Sequence, residues 1–247
     1  MTLKEYFEKN PETAIAFSGG CDSALLLWAA CRYGQKCRAY FVKTPFQPEF
    51  ELKDALKLAT ELNAPLTVIE HDTLANAAIA ENPQNRCYYC KKELFGLICK
   101  KAADDGFSLV LDGTNASDSD ADRPGMRALR ELSVGSPLRE CGLTKKAVRE
   151  LSRQAGLFTW DKPAYACLAT RFSTGTVLTA EGLKKVELSE KALHEMGFSD
   201  LRVRVRNGGA LVQVPAAQLP RLKNRAAEAK KALSPYFEEI TIDDMPR

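Results

Sequence analysis

The chain is predicted to be α/β, a parallel sheet flanked by helices, with a smaller C-terminal α+β domain. Three observations carry this reading. Apolar, strand-like runs alternate with helix-like segments over the first two thirds of the sequence. A Gly-rich turn, Ser18-Gly19-Gly20-Cys21-Asp22-Ser23, links the first strand to the first long helix. From about Thr176 the order changes to helix, strand, turn, strand, helix and strand.

The elements follow in order. A short leading helix is expected over 3–9, then a buried strand over 14–17 and a helix over 22–33. Residues 37–42 read as a second strand. Leu52, Ala55, Leu56 and Ala59 recur at helical spacing within 49–62. Strands at 65–69 and 108–111 bracket a helix at 91–103, and a further helix covers 145–154. In a parallel sheet, ligands bind outside the carboxyl ends of the strands, where the first loop, Thr44 and Asp112-Gly113-Thr114-Asn115 all fall. Beyond that, 180–196 reads as a helix and 201–206 and 210–214 as strands. Asn207-Gly208-Gly209 is a strong hairpin signal between those strands. A helix at 216–233 and a strand at 238–242 close the chain. Two domains are expected, 1–170 and 171–247.

Composition narrows the function. The 247 residues hold 35 Lys+Arg against 32 Asp+Glu, a net charge of +3. So mild a balance favours neither nucleic acid nor membrane as the main partner. The N-terminus has no apolar signal core and no run approaches a membrane span. A cytoplasmic protein is expected, in which the eight cysteines are better read as metal ligands, catalysts or small buried hydrophobes than as disulfides.

The Gly-rich turn is an anion site by construction. The first N–H groups of a helix face the loop, its dipole favours negative charge, and glycines let a phosphate approach the backbone. Asp22 and Ser23 are placed to hold a metal ion or a further phosphate oxygen. Neither a Walker A motif nor G-x-G-x-x-G occurs. S-G-G-x-D-S after a strand instead resembles the PP-loop of ATP pyrophosphatases, the adenine nucleotide alpha hydrolase-like fold, whose members cleave ATP to AMP and pyrophosphate.

Cys87-Tyr88-Tyr89-Cys90 is a C-x-x-C that alone is compatible with a metal site, a redox dithiol or neither. The second C-x-x-C of a zinc ribbon is missing. Cys167 stands apart in a Pro-containing, irregular stretch, more like a site loop than a core helix.

Taken together, the motifs resemble a known family. The loop, Arg86-Cys87-Tyr88-Tyr89-Cys90-Lys91-Lys92-Glu93, Asp112-Gly113-Thr114-Asn115, Arg123-Pro124-Gly125, Ser136-Pro137-Leu138 and Leu143-Thr144-Lys145 occur in the order seen in LarE-type sulfur transferases. Trp160-Asp161-Lys162-Pro163-Ala164, Ala166-Cys167-Leu168-Ala169-Thr170-Arg171 and Arg202-Val203-Arg204 continue the match over nearly the whole chain. The resemblance implies an enzyme of nickel-pincer nucleotide synthesis. Such an enzyme adenylates the carboxylates of pyridinium-3,5-biscarboxylic acid mononucleotide with ATP and Mg2+, then exchanges oxygen for sulfur. It further implies a 4Fe-4S cluster on Cys87, Cys90 and Cys167. The alternative is sacrificial donation of the Cys167 sulfur, leaving dehydroalanine.

The same resemblance assigns the remaining site residues. Ala16, Ser18, Gly19, Gly20, Asp22, Ser23, Val42, Gly113 and Thr114 would bind the nucleotide, with Asp22 a ligand for Mg2+. Lys91 and Arg171 join the three cysteines as catalytic residues, and Arg202 and Arg204 would hold the substrate phosphate. Arg202, Arg204 and Arg206 alternate on one strand and so face one side. Glu190 and Arg123 match residues near the active site. The partner is a small nucleotide substrate, and a homo-oligomer is expected because family members assemble further.

Departures from the pattern are Cys21 where valine is common, Thr170 for serine, Ser117 for a carboxylate, and Gln213 where an acidic residue is expected. A tRNA thiolase with the same loop would more plausibly carry a basic surface or an RNA-binding domain. A nucleotide sensor with a structural zinc would release no pyrophosphate.

Overall fold

The computed structural model describes residues 1–118 and 124–247. In chain order its elements are α1 (Leu3–Lys9), β1 (Glu12–Ala16), α2 (Cys21–Tyr33), β2 (Lys36–Lys43), α3 (Glu49–Glu61) and β3 (Leu66–Glu70). There follow α4 (Ala77–Ala80), α5 (Arg86–Asp104), β4 (Val110–Leu111), α6 (Pro124–Glu131), α7 (Pro137–Glu140) and α8 (Lys145–Gln154). The chain continues with α9 (Ala180–Glu195), β5 (Arg202–Arg206), β6 (Gly209–Gln213), α10 (Leu219–Asn224), α11 (Ala226–Leu233) and β7 (Ile240–Ile242). Short 3₁₀ helices lie at Thr73–Ala75, Leu168–Arg171 and Ala216–Gln218. No helix among the described residues is long and apolar enough to cross a membrane.

Contacts divide the chain into two units. The first comprises Met1–Thr44, Glu49–His71 and Asn85–Lys162; the second comprises Pro45–Pro48, Asp72–Gln84 and Pro163–Arg247.

The first unit carries a four-stranded parallel sheet in the order β3-β2-β1-β4. Strand alternation sends Ile15, Ala39, Phe41 and Leu111 to one face, into a core with Leu25, Leu26 and Leu27 of α2, Leu58 of α3 and Val148 of α8. Ala14, Tyr40, Val42 and Val110 point to the other face, against Ile98 and Ala102 of α5. Both faces are covered, as a parallel sheet requires. Strand order reverses between β1 and β4, which makes the end of that pair the ligand crevice.

Local chemistry sets the helix starts. Thr2 and Glu5 form a reciprocal capping box at α1, with bonds of 3.2 and 2.8 Å. Thr144 caps α8 by accepting from Ala147 N. Gly20 begins α2 with no side-chain cap, so its first N–H groups stay directed at the loop.

In the second unit β5 and β6 form an antiparallel hairpin, and β7 pairs parallel to β6. The hairpin turn has Asn207 at φ 50° and Gly208 at φ 82°, a primed turn that suits the strand twist. A Cβ on Gly208 would meet nothing within 4 Å. Gly208→Ala is therefore expected to cost about 1 kcal/mol through backbone strain alone. Urea denaturation measures this.

Three segments differ from the sequence expectation. α5 starts at Arg86 rather than Lys91, which puts both cysteines of the C-x-x-C on the helix. β4 pairs only through Val110 and Leu111. The helix expected over 216–233 is instead a 3₁₀ turn, α10 and α11, interrupted at Arg225 (φ −107°, ψ 22°), with Pro220 tolerated in the first turn of α10.

Candidate functional site

A cavity of about 570 Å³ opens at the β1/β4 crevice in the first unit. Its floor is the Gly-rich loop, through Ser18, Gly20, Asp22 and Ser23, with Ala16 at the end of β1. Gly113 and Thr114 after β4 line one side, and Cys87 and Lys91 of α5 line another. Sequence-predicted residues from three separate motifs thus meet in one concavity.

The loop is held by short-range bonds. Ser23 Oγ lies 3.1 Å from Ser18 Oγ and donates to Gly20 O at 3.2 Å. Gly19 takes φ 72°, and a Cβ there would press within 3.2 Å of the α3 backbone at Ala55 N and Glu51 O. Asp112 acts as a post for the opposite turn. It accepts from Thr114 N at 3.2 Å, Thr114 Oγ1 at 2.5 Å and Ser136 Oγ at 2.6 Å. Val42 is buried near the carboxyl end of β2.

Asp22 is engaged at both oxygens. Lys145 Nζ pairs with Oδ2, and Asn115 Nδ2 donates to Oδ1 at 3.2 Å. Neither partner follows from sequence spacing, since Lys145 lies far along the chain. A signal was present, however: Lys145 is the first residue of α8, where the helix dipole disfavours a cation. Lys162 adds another cation at the loop, reaching Asp54 at 2.7 Å and Gly19 O at 3.4 Å. Cys21 points away, with its sulfur 3.6 Å from Ser152 Oγ of α8 and 3.8 Å from Trp160 O.

Cys87 and Cys90 stand three residues apart on the first turn of α5, hence on one helix face. Neither is in a disulfide; Cys87 is exposed and Cys90 partly so. Lys91 runs against Gly125, where a Cβ would come within 2.9 Å of its Cδ.

The remaining predicted residues lie in the second unit. Cys167, partly exposed and not in a disulfide, precedes the 3₁₀ turn. Arg171 is fully enclosed (0% exposed). Its Nη1 donates to Ala166 O at 2.7 Å, Cys167 O at 3.3 Å and Thr170 Oγ1 at 3.0 Å. Its Nε and Nη2 form a fork on Glu190 at 2.8 and 3.0 Å. Arg171 therefore holds the Cys167 segment from behind. Glu190 also accepts from Tyr165 OH at 2.6 Å and Val203 N at 2.9 Å, so it is a saturated structural carboxylate. Burial works against the Arg171 charge, and the Glu190 carboxylate more than offsets it, leaving the guanidinium above its usual range.

Arg202, Arg204 and Arg206 share a face, as their alternation requires. They donate to Ala164 O at 2.9 Å, Thr170 O at 3.1 Å and Ser173 Oγ at 3.1 Å respectively. Burial, then the Arg171 and Arg247 charges, pushes Arg202 down to about 10. Burial and the neighbouring arginines lower Arg204 likewise. Cations thus crowd one carboxylate, an arrangement that an incoming anion would relieve. Gln213 accepts from Arg204 Nε at 2.6 Å and donates to Asp243 at 2.6 Å, so the amide links the arginine to a carboxylate. Arg123, Asp120 and Asp122 lie outside the described residues.

Among the described residues no group of three or more His, Cys, Asp or Glu side chains is gathered around one metal position. The donor types nevertheless fit the groups expected. Thiolates suit iron–sulfur ligation. Asp22, with Asp118 lining the same cavity, suits Mg2+ that takes most of its ligands from phosphate and water.

No family model matches the chain. It is 35% identical over 218 residues to an uncharacterized protein of Synechocystis sp., covering 88% of the chain and 81% of that relative. It is 34% identical over 242 residues to an uncharacterized protein of Methanocaldococcus jannaschii, covering 98% and 92%. It is also 34% identical over 220 residues to the pyridinium-3,5-bisthiocarboxylic acid mononucleotide synthase of Lactiplantibacillus plantarum, covering 88% and 80%.

Proposed function

Because the chain belongs to the LarE family of pyridinium-3,5-bisthiocarboxylic acid mononucleotide synthases, we propose that it is an ATP-dependent sulfur transferase. It adenylates the carboxylates of pyridinium-3,5-biscarboxylic acid mononucleotide and converts them to thiocarboxylates. The observation that most supports this reading is the cavity shared by the Gly-rich loop, Cys87 and Lys91. It puts an anion-binding helix end beside a thiol and an ammonium group.

A carboxylate resists substitution because oxide is a poor leaving group. Attack of a carboxylate oxygen on the α-phosphorus of ATP breaks the bond to pyrophosphate and leaves an acyl adenylate, from which AMP departs readily. Gly20 and the first N–H groups of α2 receive phosphate oxygens. Mg2+ at Asp22 would supply charge neutralisation for the phosphates. Lys145, which pairs with Asp22, would turn its ammonium to the phosphates. Lys91 stabilises the anionic side of the reacting centre. Arg202 and Arg204 bind the phosphate of the mononucleotide. Cys87, Cys90 and Cys167 are the thiols that would hold a 4Fe-4S cluster, which when bound would supply the sulfur. The chain's own part is to present those three thiols outside any disulfide.

Cys167→Ala is expected to release pyrophosphate when given ATP and the mononucleotide, yet to form no thiocarboxylate. Cys87→Ala, prepared without oxygen, should lose its iron and yield at most one sulfur per chain. Thiocarboxylate from Cys167→Ala, or no pyrophosphate from the unaltered protein, would overturn the assignment. An iron-free unaltered protein whose Cys167 becomes lighter by one hydrogen sulfide per turnover would establish sacrificial donation instead.

A further inference from the structure

Two cysteines that sulfur transfer does not use sit side by side in the first unit. Cys31 lies near the end of α2 and Cys37 near the start of β2, with their Sγ atoms 3.1 Å apart. Closing to the about 2.05 Å of a disulfide takes roughly 1 Å of sulfur movement. Both are partly exposed and border the same apolar cluster, so a small oxidant reaches them while neither is loose.

The connector between them is fixed at the backbone. Gly34 N donates to Ala30 O at 3.0 Å, and Gln35 N and Lys36 N donate to Pro11 O at 2.8 and 3.0 Å. A Cβ on Gly34 would come within 2.7 Å of Ala30 O, so the tight passage needs glycine. The two sulfurs are therefore presented to each other by rigid chain.

The pair is also asymmetric. The hydrogen bond from Cys31 holds the Cys37 thiol below its ordinary pKa. The same hydrogen bond, burial and the Cys37 charge push Cys31 up. One sulfur is thereby the nucleophile and the other keeps its proton.

We infer that Cys31 and Cys37 form an oxidisable dithiol, separate from the sulfur-transfer cysteines, that a small peroxide converts to a disulfide. The Cys37 sulfur attacks one peroxide oxygen. The O–O bond breaks, an S–O bond forms, and the departing hydroxide leaves as water with the thiol proton. The Cys31 sulfur then attacks the Cys37 sulfenic sulfur. The S–O bond breaks, the S–S bond forms, and the second water carries off the Cys31 proton. Two thiols lose two electrons and two protons, and hydrogen peroxide becomes two waters. The dithiol lies ten residues along α2 from Cys21, about 15 Å from the nucleotide loop.

The test uses the full, reduced chain treated with hydrogen peroxide, alkylated and digested with trypsin without reductant. Cleavage after Arg32, Lys36 and Arg38 separates the two cysteines. A disulfide is expected to join peptide 10–32 to the dipeptide 37–38, two hydrogens lighter than their sum, and to fall apart with dithiothreitol. Peptide 10–32 also contains Cys21, so fragmentation must place the bond at Cys31. In Cys31→Ala the linked species should vanish and dimedone should capture Cys37 as its sulfenic acid. Cys37 recovered only as the alkylated thiol, or as sulfinic or sulfonic acid without linkage, overturns the inference, as does a bond to Cys21. The wild-type peptide decides the matter even if the variant folds poorly.

Discussion

Glu190→Ala is expected to lower the stability of the second unit by about 3–5 kcal/mol, the range for removing one partner of a buried ion pair. Glu190 is 2% exposed and Arg171 0%, so neither recovers full hydration when the other is lost. The substitution removes four hydrogen bonds at once and strands a guanidinium beside Arg202 and Arg204. Glu190→Gln keeps the shape and two acceptor lone pairs but not the charge, and should lie between alanine and the unaltered chain. Pairing Arg171→Met with Glu190→Leu should recover much of the loss, because two apolar groups carry no desolvation cost. Urea denaturation of the four proteins gives the ranking. A loss below about 1 kcal/mol for Glu190→Ala would contradict the clamp.

Gly113→Ala should reduce kcat/KM for pyrophosphate release about a hundredfold. Its Cβ would lie 2.9 Å from Ser23 N and 3.2 Å from Asp22 C, both backbone atoms of the first α2 turn, which cannot rotate aside. The 112–115 turn is tied to Asp112 and Ser136, so relief comes by pushing α2 and the turn apart. That displacement separates Asn115 from Asp22 and shifts the N–H groups meant for phosphate. Overpacking should also destabilise the protein, by about 1–3 kcal/mol. Equilibrium binding of ATP, with near-ultraviolet circular dichroism as a check on folding, separates the two effects. Unchanged ATP affinity would mean that the nucleotide does not use this face.

Much of this was readable before any coordinates. The 145–154 helix, the leading helix and the Asn207-Gly208 hairpin each carry their own local signals, a cap or a turn pair, and local signals survive into the fold. The Gly-rich loop and the 112–115 turn were readable at one edge of the sheet because each follows a parallel strand, whereas no spacing rule places Cys87 and Lys91 in the same cavity. The early start of α5 was not readable, since Tyr88 and Tyr89 are modest helix formers. Tertiary bonds settle it: Tyr88 OH donates to Glu131 at 2.8 Å, and Arg127 stacks 3.9 Å from its ring. The Lys145–Asp22 pair spans too much chain for any spacing rule. The Arg171–Glu190 pair was not legible either, because Glu190 lies on a helix that only the fold brings near.

The grip on the Cys167 segment has a consequence for the working life of the protein. Arg171 and Thr170 fasten it through the carbonyl oxygens of Ala166 and Cys167 and the Thr170 hydroxyl. None of these contacts is to the sulfur. The grip on the segment is thus made through its backbone and the Thr170 hydroxyl. Under sacrificial donation, a spent molecule would keep this segment in place and compete with fresh copies unless its sulfur were restored or the chain removed.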